Sequence, residues 1–253
     1  EISACLVGSE MCIRDRLISD GILLLLDGQE LFNETSGSWP DQSGNNNHVQ
    51  LCNNVISSSG TGMYFESNPD SGNDAFGEIA HNGTLSPANL PGSGSTKGMT
   101  FSGVMEYGDN PDATNGGWFC SSGGGRNFPF HLGRPNGTTK IKFFFGDNGS
   151  FHGITGGTNI GTDTKVSFCA LHDEAGRQEL YINGVSDASA ANGITQFYTN
   201  NYSYILGAQA HSGGPMGNYY TDTTIHQLIV YNRPFTAAEI QHNYEVQRDR
   251  YNL

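Results

Sequence analysis

From Ile22 onward the chain alternates short apolar segments with clusters of glycine, serine, asparagine and proline. Ile22-Leu23-Leu24-Leu25-Leu26 is a continuous apolar run of strand length, the form of a strand buried on both faces. Val49–Leu51, Gly62–Glu66, Met99–Tyr107, Gly117–Ser121 and Phe128–Leu132 follow as shorter strand-like segments. Ile141–Phe145 and Phe151–Ile154 flank Asp147-Asn148-Gly149-Ser150, whose Asn-Gly pair tolerates the positive φ of a hairpin turn. Lys165–His172 and Gln178–Ile182 flank Asp173-Glu174-Ala175-Gly176-Arg177 as a second hairpin. Tyr204–Gly207 and Ile225–Tyr231 complete the series. Strands at this spacing, without intervening helices, predict a sandwich or barrel.

The pattern changes period once. Thr236-Ala237-Ala238-Glu239 is a capping box that opens a helix, and Pro234 ends the strand before it. Ala237, Ile240, Tyr244, Gln247 and Tyr251 then recur at steps of three and four, which predicts one partly apolar stripe lying on the sheets. The glycine-rich stretch Ser86–Gly98 is the one candidate boundary, but too few strands precede it to fold alone.

Residues 1–16 stand apart, with neither strand nor helix periodicity. Leu6 to Arg16, eleven consecutive residues, back-translate in one frame to a string that resembles a transposon-based sequencing adapter. They are read as an unstructured artefact preceding a domain at 17–253. The resemblance implies shotgun-sequenced DNA cut at the 5′ end, so a signal peptide is not assessable.

The net charge of −13 falls without any Lys/Arg cluster, which argues against nucleic acid. No apolar run approaches the ~20 residues of a membrane helix, so no membrane insertion is expected. Setting aside Cys5 and Cys12, the scattered Cys52, Cys120 and Cys169 form no disulfide framework.

Four stretches, "DGILLLLDG…WPDQSGNNNHVQL", "ELYINGV", "YILGAQ" and "IHQLIVYNRPFTAAEIQHNY", resemble successive landmarks of the laminin-G-like, concanavalin A-like lectin/glucanase superfamily. The closing strand, Asn-Arg, Pro and helix resemble versions met in marine bacterial surface proteins and phage virion proteins. The resemblance implies an all-β jelly-roll β-sandwich of two antiparallel sheets with a short C-terminal helix, its first and last strands paired. It also implies an extracellular, cell-surface or virion location within a larger chain. Two departures matter. Members often carry an acidic pair where this chain has His226-Gln227, and a Trp-His pair where it has only Thr164-Lys165-Val166, so Val166 or Phe168 must replace a core aromatic.

Fold does not settle function. Retaining glucanases of this fold place their acids on alternate residues of one strand, as E-x-D-x-E, with catalytic carboxylates about 5 Å apart. No such triplet occurs. Glu66, Asp70 and Asp74 are interrupted by Pro69 and Gly72, and Asp173-Glu174 read as turn residues. The eight histidines are scattered, without zinc spacing, and Gly123-Gly124-Gly125 lacks the Lys-Ser/Thr of a phosphate loop. A non-catalytic module binding a glycan or polysaccharide on a cell surface is the expected function. Aromatics beside glycine-rich loops are the candidates: Trp118, Phe151 with His152, and Tyr219 with Tyr220. A structural spacer without ligand, or a glycoside hydrolase, are the alternatives. If the first and last strands pair, Asp27 and Asp222 share a rim to which the loop at Asp41 can return. A calcium ion held by Asp27, Asp41 and Asp222 is then expected.

Overall fold

The structure, a computed structural model, describes residues 17–29, 37–53, 56–58, 62–66, 75–81, 85, 98–108, 117–121, 129–135, 137–147, 150–191, 202–211, 214–220 and 222–253. The adapter-like residues 1–16 lie outside these. In chain order the strands are β1 (Ile22–Asp27), β2 (Ser38–Trp39), β3 (Val49–Cys52), β4 (Ile56–Ser58), β5 (Gly62–Phe65) and β6 (Phe76–Ile79). Next come β7 (Met99–Tyr107), β8 (Gly117–Ser121), β9 (Phe130–Gly133), β10 (Lys142–Asp147), β11 (Ser150–Thr155) and β12 (Lys165–His172). The rest are β13 (Arg177–Ile182), β14 (Val185–Ala191), β15 (Tyr204–Leu206), β16 (Ala208–His211), β17 (Gly214–Tyr220) and β18 (Thr223–Tyr231), before the helix α1 (Ala237–Tyr251).

Two antiparallel sheets form the sandwich. The first runs β14-β13-β12-β7-β18-β5-β4, with β1 also on β18; the second runs β11-β10-β9-β8-β15-β6-β3-β2. Strands from before and after Ser86–Gly98 pair with one another, as β1 and β5 do with β18, so this stretch does not divide the fold. Between the sheets the alternate positions of each strand converge on aromatic rings. Phe101 from the first sheet lies 4.8 Å from Phe130 and 5.5 Å from Phe143 of the second. Phe143 and Phe145 stand edge-on at 4.6 Å. Such pairs add about 0.5–1.5 kcal/mol each beyond the area they bury. Val166 and Phe168 both enter this core.

The short turns follow their residues. Asn183 and Gly184 both have positive φ, 49° and 74°, joining β13 to β14. Asp173 closes the β12–β13 hairpin by accepting from the N–H groups of Ala175 and Arg177, at 3.0 and 2.9 Å.

The loop after β2 has a different task. β18 covers only one edge of β1, and the side chains of the Asp-Gln-Ser-Gly-Asn-Asn-Asn stretch satisfy the other. Leu25 N–H donates to Asp41 Oδ1 at 3.0 Å, while Asn45 and Asn47 Nδ2 donate to the Leu23 carbonyl at 3.1 and 2.8 Å. Amide and carboxylate groups thereby substitute for a neighbouring strand, which keeps the edge from templating aggregation.

The central strands β12, β7 and β18 of the first sheet are buried on both faces, with α1 on their outer side. A second apolar cluster of Leu17, Leu25, Leu171, Ile229, Tyr231, Phe235 and Ile240 lies there. The Thr236–Glu239 capping box forms as expected. The buried stripe is Ile240, Asn243, Gln247 and Tyr251, while Ala237 is exposed. Much of the docking is therefore polar. Gln247 donates to Ser102 Oγ and Gln227 Oε1 and accepts from Ser167 Oγ at 2.6 Å.

Candidate functional site

The parity of β10 defines the outer face of the second sheet, which is exposed at Gly153 and Thr155 of β11 and covered at His131 and Gly133 of β9. In Lys142-Phe143-Phe144-Phe145, alternation sends Phe143 and Phe145 into the core, where both are fully buried. Lys142 and Phe144 must then face outward. The register builds rows on that outer face: His131, Phe144 and Gly153 across β9 to β11, with Gly133, Lys142 and Thr155 beside them.

Each member of this patch has a physical cause. Phe144 is half-buried and its ring leans over β11, so a Cβ on Gly153 would collide with it. The glycine is what lets the ring lie down on the sheet. Lys142 Nζ sits 4.0 Å from the centroid of the same ring, a close cation–π contact. Burial lowers the pKa of Lys142 from the ordinary lysine value. His131, 5.9 Å from Phe144 between ring centroids, is buried, and that burial together with Lys142 pushes its pKa down to about 3. The imidazole is neutral at physiological pH, so Lys142 carries the charge within this row.

For Trp118, Phe151, Tyr219 and Tyr220 only the backbone is described. Trp118 occupies a bulge in β8, between the pairs Gly117 with Gly133 and Phe119 with Leu132. β16 runs beside β8 and forms a two-stranded ribbon with β17, in which Tyr220 pairs with Ala208. The Tyr219-Tyr220 positions on β17 are thus separated from Trp118 on β8 by β16. Phe151 pairs with Gly146 in β11, three strand steps from β8, or about 14 Å. His152 pairs with Phe145 and so faces the interior, like Ile154 opposite Phe143; it does not belong to the outer face. Phe144 and Lys142 were missed as candidates, although the three consecutive phenylalanines require at least one to face away from the core.

The expected calcium triad does not assemble. Asp27 pairs with Gln227, because β1 covers only the second half of β18 and β5 takes the first. Asp222 therefore lies five positions further along β18, about 16 Å away. Both oxygens of Asp41 accept from donors: Leu25 and Ser43 N–H on one, Asn47 N–H and Ser43 Oγ on the other. Asp27, fully buried, accepts from Arg250 at 2.8 Å, Tyr251 at 3.3 Å and Gln227 at 3.2 Å. Among the described residues no group of three or more His, Cys, Asp or Glu side chains is placed to hold a metal ion.

This double-layered sandwich with an outer helix has a clear relationship to known proteins. The chain belongs to the concanavalin A-like lectin/glucanases superfamily, whose family model matches residues 82–241. Among solved structures it is similar to the binding domain of Paraclostridial Mosquitocidal Protein 1, at 13% identity and TM-score 0.64, over 89% of this chain and 52% of that one. It is also similar to botulinum neurotoxin type C, whose cell entry is described as dependent on two ganglioside molecules (12% identity, TM-score 0.62, 94% and 52% covered). A Trypanosoma rangeli sialidase shares the fold at 12% identity and TM-score 0.60, over 90% of this chain and 33% of that one. The chain spans about half the length of the toxin structures it matches. At these identities the likeness shows the fold. No curated protein sequence matches the chain.

Proposed function

We propose that the domain is a non-catalytic carbohydrate-recognition module of a longer extracellular protein, and that the outer face of the second sheet binds the sugar. The observation that carries this reading is the Phe144 ring laid over Gly153 on a sheet face. Apolar C–H faces of sugars pack on such rings, and the exposed β11 side of the sheet lets a ligand approach. The similar toxin structures are binding domains or receptor-dependent entry proteins, which supports recognition over turnover. Two of the acids discussed above are employed structurally: Asp27 in an ion pair and Asp173 in a turn with Arg177.

The test is a glycan array and affinity electrophoresis with the wild type, Phe144→Ala and Gly153→Val. Losing one ring contact is expected to weaken binding about tenfold. Gly153→Val should displace the ring and do the same. Incubation with laminarin, agar, carrageenan or xylan should release no reducing sugar. Unchanged affinity in Phe144→Ala, a wild type that binds no glycan, or turnover abolished by one Asp or Glu substitution each overturns the reading.

A further inference from the structure

Resting on that reading, we infer that the sugar recognised at Phe144 is anionic, with its carboxylate or sulfate received by the Lys142 ammonium. The chain carries 25 acids against 12 lysines and arginines, so a cation without a carboxylate partner calls for explanation. Four arginines are matched by acids: Arg177 with Asp173 and Glu179, Arg233 with Asp20 and Glu239, Arg248 with Asp249, and Arg250 with Asp27. Among the described residues no lysine has an ion-pair partner, and Lys142 is the one held over an aromatic ring.

The geometry gives that charge a direction. Packing on Phe144 fixes the side chain on the sheet face, so an anion does not have to order it on binding. The ring quadrupole holds the ammonium without neutralising it. Gly153 and Thr155 on β11 are exposed, so a sugar with its acid group on Lys142 approaches from that side, while Gly133 on β9 is buried. His131 adds no second charge, since burial keeps its imidazole neutral. The arrangement is one fixed cation beside one apolar platform, which fits a monosaccharide unit bearing a single acid group. The surrounding net negative charge disfavours polyanions at long range, and at about 0.1 M salt that repulsion is screened beyond roughly 10 Å while contact at Lys142 survives.

The probes are two matched polysaccharide pairs: polygalacturonate with its methyl-esterified counterpart, and carrageenan with desulfated carrageenan. Affinities are measured for the wild type, Lys142→Met, Lys142→Arg and Phe144→Ala, each checked for an unshifted melting temperature. The wild type is expected to favour the acidic member of at least one pair by about tenfold, the usual size of one added charged contact. Lys142→Met should bring the acidic affinity down to that of the neutral partner, Lys142→Arg should keep the preference, and Phe144→Ala should weaken both members. Equal or better binding of the neutral members, or a preference that persists in Lys142→Met, overturns the anionic assignment and leaves glycan recognition standing. Failure to bind any glycan on the array removes both.

Discussion

Acidification tests the buried histidine of the outer face most directly. His131 is 4% exposed, and its pKa lies near 3 in the folded protein against 6.5 for a free histidine. The unfolded chain therefore takes up a proton at this residue before the folded one does. Above pH ~6.5 neither state is protonated and no penalty exists. Below it, stability falls by up to about 1.4 kcal/mol per pH unit and levels off near pH 3. At pH 4.5 the loss from this residue alone amounts to roughly 2.5 kcal/mol, or about 5–10 °C in melting temperature for a domain of this size. Melting curves from pH 7.5 to 4.5 for the wild type and His131→Leu isolate the contribution, since other titrating groups are common to both. The wild type should lose several degrees more than the variant over this range. Adding Lys142→Met should shrink the difference, because the lysine charge is the second cause of the depressed pKa. Parallel pH profiles in the wild type and His131→Leu would refute the reasoning and mean that the imidazole is charged or solvated where it sits.

Three further outcomes follow from the helix and the acids around it. Arg250→Met leaves Asp27 buried without its cation, and the cost should be about 3–5 kcal/mol in urea unfolding; a loss under 1 kcal/mol contradicts the pairing. Glu239 has its pKa lowered to about 2 by the Arg233 hydrogen bond and the capping box, so its stabilisation is present above about pH 4.5 and lost as pH falls toward 2. Solvent screening reduces the effect of Glu239→Gln to about 1 kcal/mol at pH 7, fading at low pH; a pH-independent difference counts against it. Millimolar Ca²⁺ should leave the melting temperature where EDTA leaves it, because the oxygens of Asp41 already accept from N–H and O–H donors and Asp27 is bound to Arg250.

The fold was legible where one physical rule dominated. The apolar run of β1, the paired first and last strands, both hairpins and the capping box all appear at the predicted residues. Strands whose partners supply the order were not legible. β14, Val-Ser-Asp-Ala-Ser-Ala-Ala, has little apolar alternation and exists because β13 lies beside it. β2 is two residues long and is fixed by pairing with β3. The site was less legible than the fold. Proximity to glycine drew attention to His152, whereas register turns it inward. Phe144 was hidden among phenylalanines that all read as core until strand parity separated them. Asp27 and Asp222 do not share the expected rim because of a topological detail, that β1 and β5 divide one edge of β18 between them.

That division also places Gln227 opposite Asp27, which explains the use of a neutral amide there. Gln227 Nε2 donates to Asp27 Oδ2 at 3.2 Å, and its Oε1 accepts from Gln247 at 3.0 Å. A carboxylate there would face the Asp27 carboxylate at hydrogen-bond distance inside the protein, and two such charges need a cation or a shared proton. This chain supplies one cation, Arg250, which already holds Asp27. A neutral amide at 227 completes the set and ties the sheet to α1. Gln227→Glu should then be destabilised at pH 7 by roughly 1–3 kcal/mol, the cost of an unsatisfied buried group. The new acid should titrate above the ordinary carboxylate range, because Asp27 disfavours its charged form. A raised folded-state pKa gives a deficit that is small at pH 4 and grows as pH rises through that value. Urea unfolding of the variant and wild type at pH 4, 5.5 and 7 measures it. A variant as stable as the wild type at pH 7 would show that the site tolerates a second buried charge, and the explanation for Gln227 would fall.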